Sequence, residues 1–471
     1  MVFSSYIFIC CFLPIVIAGY FGLSHLKNDI YQKLFLIAAS LFFYGYYNIK
    51  YLALILASIA VNYLAAITIQ KKRSKLCFAL GILFNIGLIG YFKYYDFFIE
   101  NINSVFGTDI AMRNILLPLG ISFFTFQQLS FLVSVYKGEE KVEKLQDYGL
   151  FVVFFPQLVA GPIVLYSEMI PQFKDSSRRY FNSENFAQGL YMVAIGLFKK
   201  AVIADTLSLF VDNGFELEKL GFCSAWTAAL SYTLQIYFDF SGYSDMAIGL
   251  GRMFNIELPF NFISPYKSES ITEFWRRWHI TLGRALSSYI YRPLGGNRKG
   301  MARTCLNLLA TFLVSGLWHG ASWTFVLWGA LHGILSVIER LFKKQLDRIP
   351  KFIRVAVTFL LVNGLWVLFR AENFGQAVKV YKGMLSFGNF DFSKISEMAN
   401  DLLVNFPAAV DIAYVFALIA VLLFIVFRCE SSAEKLGKFT LSRRNVIFAS
   451  VLFFVSLLCL SRGSVFIYFN F

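Results

Sequence analysis

Apolar residues run along this chain in long uninterrupted blocks, separated by short polar stretches. The blocks cover 2–23, 34–47, 51–69, 76–91, 115–135, 186–198, 225–250, 306–318, 321–338, 352–369, 412–427 and 446–460. Many approach the roughly 20 residues that carry a helix across a bilayer core, and flanking residues extend the shorter ones. Membrane-spanning backbone must satisfy its own hydrogen bonds, so it forms either helices or a closed barrel. Barrel strands alternate apolar and polar side chains, whereas these blocks are continuous. The pattern therefore predicts an all-α integral membrane protein of about twelve transmembrane helices.

Two stretches depart from that pattern. Residues 148–166 are apolar but contain Pro156 and the pair Gly161–Pro162, and proline removes a helical donor and breaks the ladder. Residues 271–294 are amphipathic and rich in Trp and Arg. Both are predicted as re-entrant elements, because non-helical backbone at membrane depth persists only inside protein or along a cavity. No linker, repeat or low-complexity run divides residues 1–471, so one domain is expected. The block 2–23 lacks a basic n-region and a small-residue cleavage site, and is read as a retained crossing.

Charge sharpens this picture. Only 15% of residues are charged against 18% aromatic, where a soluble chain carries about a quarter charged. The net charge is +14, but its placement argues against nucleic acid. More than half of the 43 Lys and Arg lie in four loops: 71–75, 267–303, 340–354 and 428–444. The positive-inside rule puts those loops in the cytoplasm and both termini outside. The lipid bilayer is the expected partner, in a multi-pass cell-membrane protein. Seven scattered cysteines, without a CxxC pair, set neither a disulfide framework nor a zinc site.

Several soluble-enzyme signatures are absent, among them G-x-S-x-G and H-E-x-x-H. The loop Pro-Leu-Gly-Gly-Asn-Arg-Lys-Gly at 293–300 lacks the Lys and Ser of a Walker motif, although its amides could hold an anion. Histidine is more telling, with His25, His279, His319 and His332 the whole set. His319 sits in Ser-Gly-Leu-Trp-His-Gly-Ala-Ser-Trp between two apolar blocks. An ionisable group at that depth is expensive and marks a functional site, and flanking glycines admit close approach. His279 lies in Thr-Glu-Phe-Trp-Arg-Arg-Trp-His-Ile-Thr-Leu, on the second broken element. For His25 and His332 a structural role is expected; the spacing of His319 and His332 offers no i, i+4 metal face.

Several of these motifs, in this order, resemble the membrane-bound O-acyltransferase family, and its bacterial alginate O-acetylase branch in particular. They are Pro-Leu-Gly-Ile-Ser-Phe-Phe-Thr-Phe-Gln from Pro118, Phe-Pro-Gln-Leu-Val-Ala-Gly-Pro from Phe155, and Tyr-Phe-Asp-Phe-Ser-Gly-Tyr-Ser-Asp-Met-Ala-Ile-Gly-Leu-Gly from Tyr237. Asn-Phe-Ile-Ser-Pro-Tyr from Asn261, the 293–300 loop and the two Trp-His motifs complete the set. One departure stands out: Ala-Leu-Ser-Ser-Tyr precedes Ile290, where the branch usually carries Arg-Asp-Tyr.

The resemblance implies transfer of an acyl group, acetyl being favoured, from a cytoplasmic thioester to an extracytoplasmic polysaccharide. His319 matches the family's membrane histidine and is the expected general base; His279 matches its second polar position. No bound cofactor is implied; acetyl-CoA or an acyl carrier protein serves as donor substrate. An extracytoplasmic SGNH-type acyltransferase is the implied partner, completing transfer to the glycan. The segment Phe466-Ile-Tyr-Phe-Asn-Phe reads on composition as an aromatic interfacial anchor. It also resembles the tail motif of a small protein that accompanies the teichoic-acid D-alanyl transferase, which would make Tyr468 an acyl relay. Two alternatives stay open: D-alanyl transfer to teichoic acid, and transport of a lipid-linked sugar, which broken helices also suit.

Overall fold

The computed structural model describes residues 1–399, 408–460 and 466–467. Every regular element among them is helical, and seven helical segments are long and apolar enough to cross a membrane: Ile7–His25, Ile49–Lys72, Lys75–Phe106, Gly300–His319, Trp323–Leu341, Lys351–Arg370 and Ala408–Arg428. Contacts group the chain into two compact units. The first comprises Met1–Gly196, Tyr243–Phe260 and Phe439–Leu460; the second comprises Leu197–Gly242, Asn261–Lys438 and Ser461–Phe471.

The first unit shows how its sequence sorts lipid-facing from inward-facing positions. Helix Lys75–Ile89 exposes Leu76, Leu80, Leu83 and Ile86, a stripe at helical spacing, and buries Gly81 and Asn85 on the opposite side. The buried Asn85 meets Asn62 of helix Ile49–Lys72 in a reciprocal amide pair, with N···O distances of 2.6 and 3.2 Å. Nearby, Gln128 donates to the Ser58 hydroxyl at 2.9 Å and accepts from the Tyr148 hydroxyl at 3.1 Å. Neutral groups with complementary donors satisfy one another where water cannot.

Sequence and structure diverge at 115–135. That apolar run is helical only from Ile121, after an irregular stretch at 107–120. Gly120 adopts φ +71° against the Leu158–Val159 backbone, and a Cβ there would stand 2.8 Å from the Leu158 oxygen. A left-handed turn with no room for a side chain requires glycine. The partner in that contact is the other irregular stretch. Helix Leu145–Val153 ends before the short turn Phe155–Leu158, and regular helix resumes only at Tyr166. Residues from Phe151 to Val164 are all buried, so the broken backbone is sheltered by protein.

The second unit opens with a π-turn, Lys199–Ala204, that continues into helix Asp205–Glu216. Single π-turns re-aim side chains, often at functional sites. Here they send two consecutive lysines to different partners. Lys199 reaches the Ser432 hydroxyl at 2.8 Å, while Lys200 bridges Asp205 at 2.7 Å and Asp239 at 2.8 Å. Residues 271–294 form two short helices, Ile271–Arg277 and Ile280–Leu286, followed by a π-turn at Ser287–Tyr291.

Candidate active site

The break between those two short helices presents His279. Its φ is +43°, one of only five non-glycine residues with positive φ among the described residues. A left-handed conformation costs an L-residue about 1–2 kcal/mol, so surrounding contacts must hold it. They come from Asn261, in the Asn-Phe-Ile-Ser-Pro-Tyr motif. The Asn261 carbonyl accepts from Ile280 N–H at 3.0 Å, and its side-chain oxygen accepts from the Thr281 hydroxyl at 2.6 Å. One residue thus clamps the first turn of the helix that follows His279. Trp278, fully buried, anchors the preceding side against Phe262 and Trp366, at ring separations of 4.9 Å each.

His319 is the last residue of helix Gly300–His319 and is 2% exposed. Its position depends on close packing against helix Trp323–Leu341. A Cβ on Gly316 would lie 2.4 Å from the Phe325 carbonyl, and one on Gly329 would lie 2.4 Å from the Phe312 carbonyl. On Gly320, directly after the histidine, it would strike the Phe325 ring at 2.2 Å. Small residues let the two helices meet backbone to backbone, and this explains the Trp-His-Gly sequence.

The two histidines converge on one aromatic cage. The Trp318 ring lies 5.0 Å from the His319 ring and 5.9 Å from the His279 ring, edge-on to both. Phe240 closes the far side of His279 at 4.8 Å, while Trp328 and Phe369 each stand 5.2 Å from His319. Both imidazoles are thus buried among aromatic rings.

The remaining sequence candidates separate clearly. His332 is fully buried behind Trp328; its Nδ1 accepts from Trp275 Nε1–H at 3.2 Å, and its ring lies 4.7 Å from that of Trp328. It supports the cage wall from behind. His25 is an exposed turn residue of the first unit. The 293–300 loop is a glycine turn, with φ of +109°, +57° and +84° at Gly295, Gly296 and Gly300; Arg298 and Lys299 are solvent-exposed. Tyr468 lies outside the described residues.

Alongside the site runs a groove of about 370 Å³, lined by Trp275, Arg276, Arg284, Tyr291, Phe312 and Ser315 among others. Ser315 sits one turn before His319, and its buried hydroxyl has no partner among the described residues. Sequence reasoning missed this groove, because its wall is shared between two separate segments, 272–291 and 308–315. It also missed the roles of Asn261 and Thr281. Their signal was present as polar residues inside otherwise apolar motifs.

Residues 144–369 match the family model for MBOAT, the membrane-bound O-acyltransferase family. The chain is 41% identical to the peptidoglycan O-acetyltransferase of Helicobacter pylori, over 100% of this chain and 98% of that one. This chain belongs to the membrane-bound O-acyltransferase family. It is also 40% identical to a probable alginate O-acetylase AlgI of Pseudomonas aeruginosa, over 84% of this chain and 77% of that protein. A more distant relative is the teichoic acid D-alanyltransferase of Bacillus subtilis, 26% identical over 49% of this chain. As a membrane-bound O-acyltransferase, the chain is a multi-pass membrane enzyme of the acyltransferase class. The family-model match contains both His279 and His319, together with the Asn261 clamp that shapes the turn after His279.

Proposed function

We propose that this enzyme takes an acetyl group from a cytoplasmic thioester, acetyl-CoA or an acyl carrier protein, and passes it across the bacterial cell membrane for O-acetylation of a polysaccharide. Peptidoglycan is the favoured polymer, because the full-length likeness is to a peptidoglycan O-acetyltransferase whereas the alginate enzymes are matched over 84% of this chain. The observation that carries the reading is the convergence of His279 and His319 on Trp318.

In this reading His319 is the general base. Neutral imidazole accepts the proton of an attacking hydroxyl as its oxygen adds to the thioester carbonyl. The thiolate then leaves and takes that proton from the imidazolium. His279 faces the developing oxyanion, where a preformed donor is worth about 10²–10³ in rate. The groove past Ser315 leads the donor in along the 271–294 element, one of two re-entrant elements in a bundle of about twelve crossings. Both termini face outward, and the whole chain works as one catalytic domain. Tyr468 supplies the attacking hydroxyl and carries the acetyl group as an aryl ester, so one transfer becomes two. An extracytoplasmic SGNH-type acyltransferase then accepts the group and completes O-acetylation of the glycan.

The test is reconstitution in vesicles with labelled donor inside. Wild type should place label on the chain, at Tyr468, and on the glycan when the partner is outside. Mass spectrometry of the envelope polymer should lose its acetyl signal in Tyr468→Phe. Normal glycan acetylation by Tyr468→Phe would refute the relay and send the acceptor hydroxyl directly to His319.

A further inference from the structure

The second unit buries a cluster of three charged side chains that the mechanism above does not use. Lys200, Asp205 and Asp239 are 3%, 5% and 1% exposed, and the Lys200 ammonium is shared between the two carboxylates. Two anions for one cation is a costly arrangement away from water unless further donors face the excess charge. One such donor comes from far along the chain. The backbone N–H of Ile467 donates to Asp239 Oδ2 at 2.8 Å. Phe466 and Ile467 are themselves buried, at 4% and 9% exposed. The Phe466 ring lies 6.1 Å from that of Phe240. Phe240 follows Asp239 in sequence and forms the wall of the His279 cage at 4.8 Å.

We propose that Asp239, held by Lys200, is a positioning residue whose carboxylate seats the 466–467 segment against the His279 cage, making that segment an integral part of the active site. The acid cluster is then the dock for a main-chain group, and its fixed partner is one residue from Tyr468. For its catalytic consequence the proposal rests on the relay reading of Tyr468; the dock itself does not.

The chemistry favours this over a purely structural ion pair. Lys200 already has a buried carboxylate in Asp205, so a simple pair would be complete without Asp239. Asp239 Oδ1 faces the ammonium and Oδ2 faces the amide, so one carboxylate links a rigid helix to the segment after the last helix. A charge-assisted hydrogen bond to an amide is short and directional. Direction matters here, since misplacing a reacting group by about 1 Å can cost about 100-fold in rate.

Amide hydrogen exchange in the full-length chain reads the dock without turnover. The Ile467 amide should exchange slowly in wild type. It should exchange at least about tenfold faster in Asp239→Ala and stay protected in Asp239→Asn, whose side-chain oxygen still accepts. Rapid exchange in wild type, or protection unchanged in a folded Asp239→Ala chain, overturns the dock. Ile467→Pro deletes the donor and leaves all three charges in place, so it serves even if Asp239→Ala fails to fold. Ile467→Pro should lower kcat for acetyl transfer about 10- to 100-fold with KM for the thioester unchanged. Wild-type kcat in Ile467→Pro overturns the positioning role. An active Tyr468→Phe chain with a protected Ile467 amide would remove the relay and keep the dock.

Discussion

Each unit holds a buried polar network inside apolar helices, and the two networks are built from different chemistry. In the first unit, Asn62, Asn85, Ser58, Gln128 and Tyr148 form a network of neutral groups. Nothing in that network changes charge near neutral pH, and no backbone is strained to build it. The first unit buries an ion pair elsewhere, Lys33 with Asp147 at 3.0 Å. In the second unit the ionisable groups gather around the candidate site, as two histidines around Trp318 and a lysine between two aspartates. One of those histidines sits on left-handed backbone. A neutral network fixes how helices pack, whereas strained backbone and buried imidazoles at membrane depth point to a functional site. We propose a scaffold role for the first network and a catalytic role for the second, and substitutions can break that distinction in order of expected size.

The largest effect belongs to His319→Ala. Loss of a general base costs about 10²–10⁴ in rate, and the chain should still insert and purify, because the Gly316–Gly329 crossing that sets the helix pair is untouched. Acetyl transfer in vesicles within tenfold of wild type would remove His319 from the mechanism. Next comes Asn261→Ala. It deletes the oxygen that holds Thr281 but keeps the carbonyl that holds Ile280, so the turn after His279 loosens without collapsing. A fall of about 10–100-fold in kcat with a folded chain is expected. Thr281→Ala should reproduce most of it, since both changes break the same bond.

Asn85→Ala probes the other network. It strands the Asn62 side-chain oxygen inside the bundle, while the Asn62 NH2 keeps the Ser58 carbonyl, and interhelical hydrogen bonds in membranes are worth about 0.6 kcal/mol on average and up to about 1.7. Melting temperature in detergent should fall, while kcat per folded molecule stays at the wild-type value. An equal loss of kcat and stability would erase the distinction between the two networks.

How much of this was legible in the sequence follows the range of the interactions. Helix class and apolar blocks are local, and runs such as 352–369 became helix Lys351–Arg370 with little change. The break at Pro156 is also local, and it appears where proline removes a donor. The late start of the helix at Ile121 is not. It depends on Gly120 pressing against Leu158, a contact that no window around residue 120 contains. The site behaves in the same way. His319 and His279 stood out because an imidazole is rare in apolar sequence. The Asn261 clamp and the Asp239–Ile467 contact join residues 20 and 228 positions apart. They become visible only when the chain is folded.

The smallest effect tests the opposite extreme, an ion pair at the edge of the second unit. Glu269 precedes helix Ile271–Arg277 and meets Lys351 at 2.8 Å and Arg354 at 2.6 Å. The hydrogen bond from Lys351, reinforced by the charges of Lys351, Arg354 and Arg277, holds its carboxyl below the ordinary 4.5, against a weaker upward push from desolvation. A carboxyl with a lowered folded value stabilises the fold fully above its unfolded value, and that contribution is lost as pH falls through the folded one. Solvent reaches this pair, so its worth is about 0–1 kcal/mol. Glu269→Gln should therefore lower the melting temperature by about 1 °C or less near neutral pH. The gap to wild type should close as pH drops below the ordinary 4.5. Acetyl transfer should not change, because Glu269 anchors the outer end of the element whose inner end is held separately by Asn261. A large loss of kcat in Glu269→Gln would mean that the strained turn at His279 is set from the rim, and that the clamp at Asn261 only follows it.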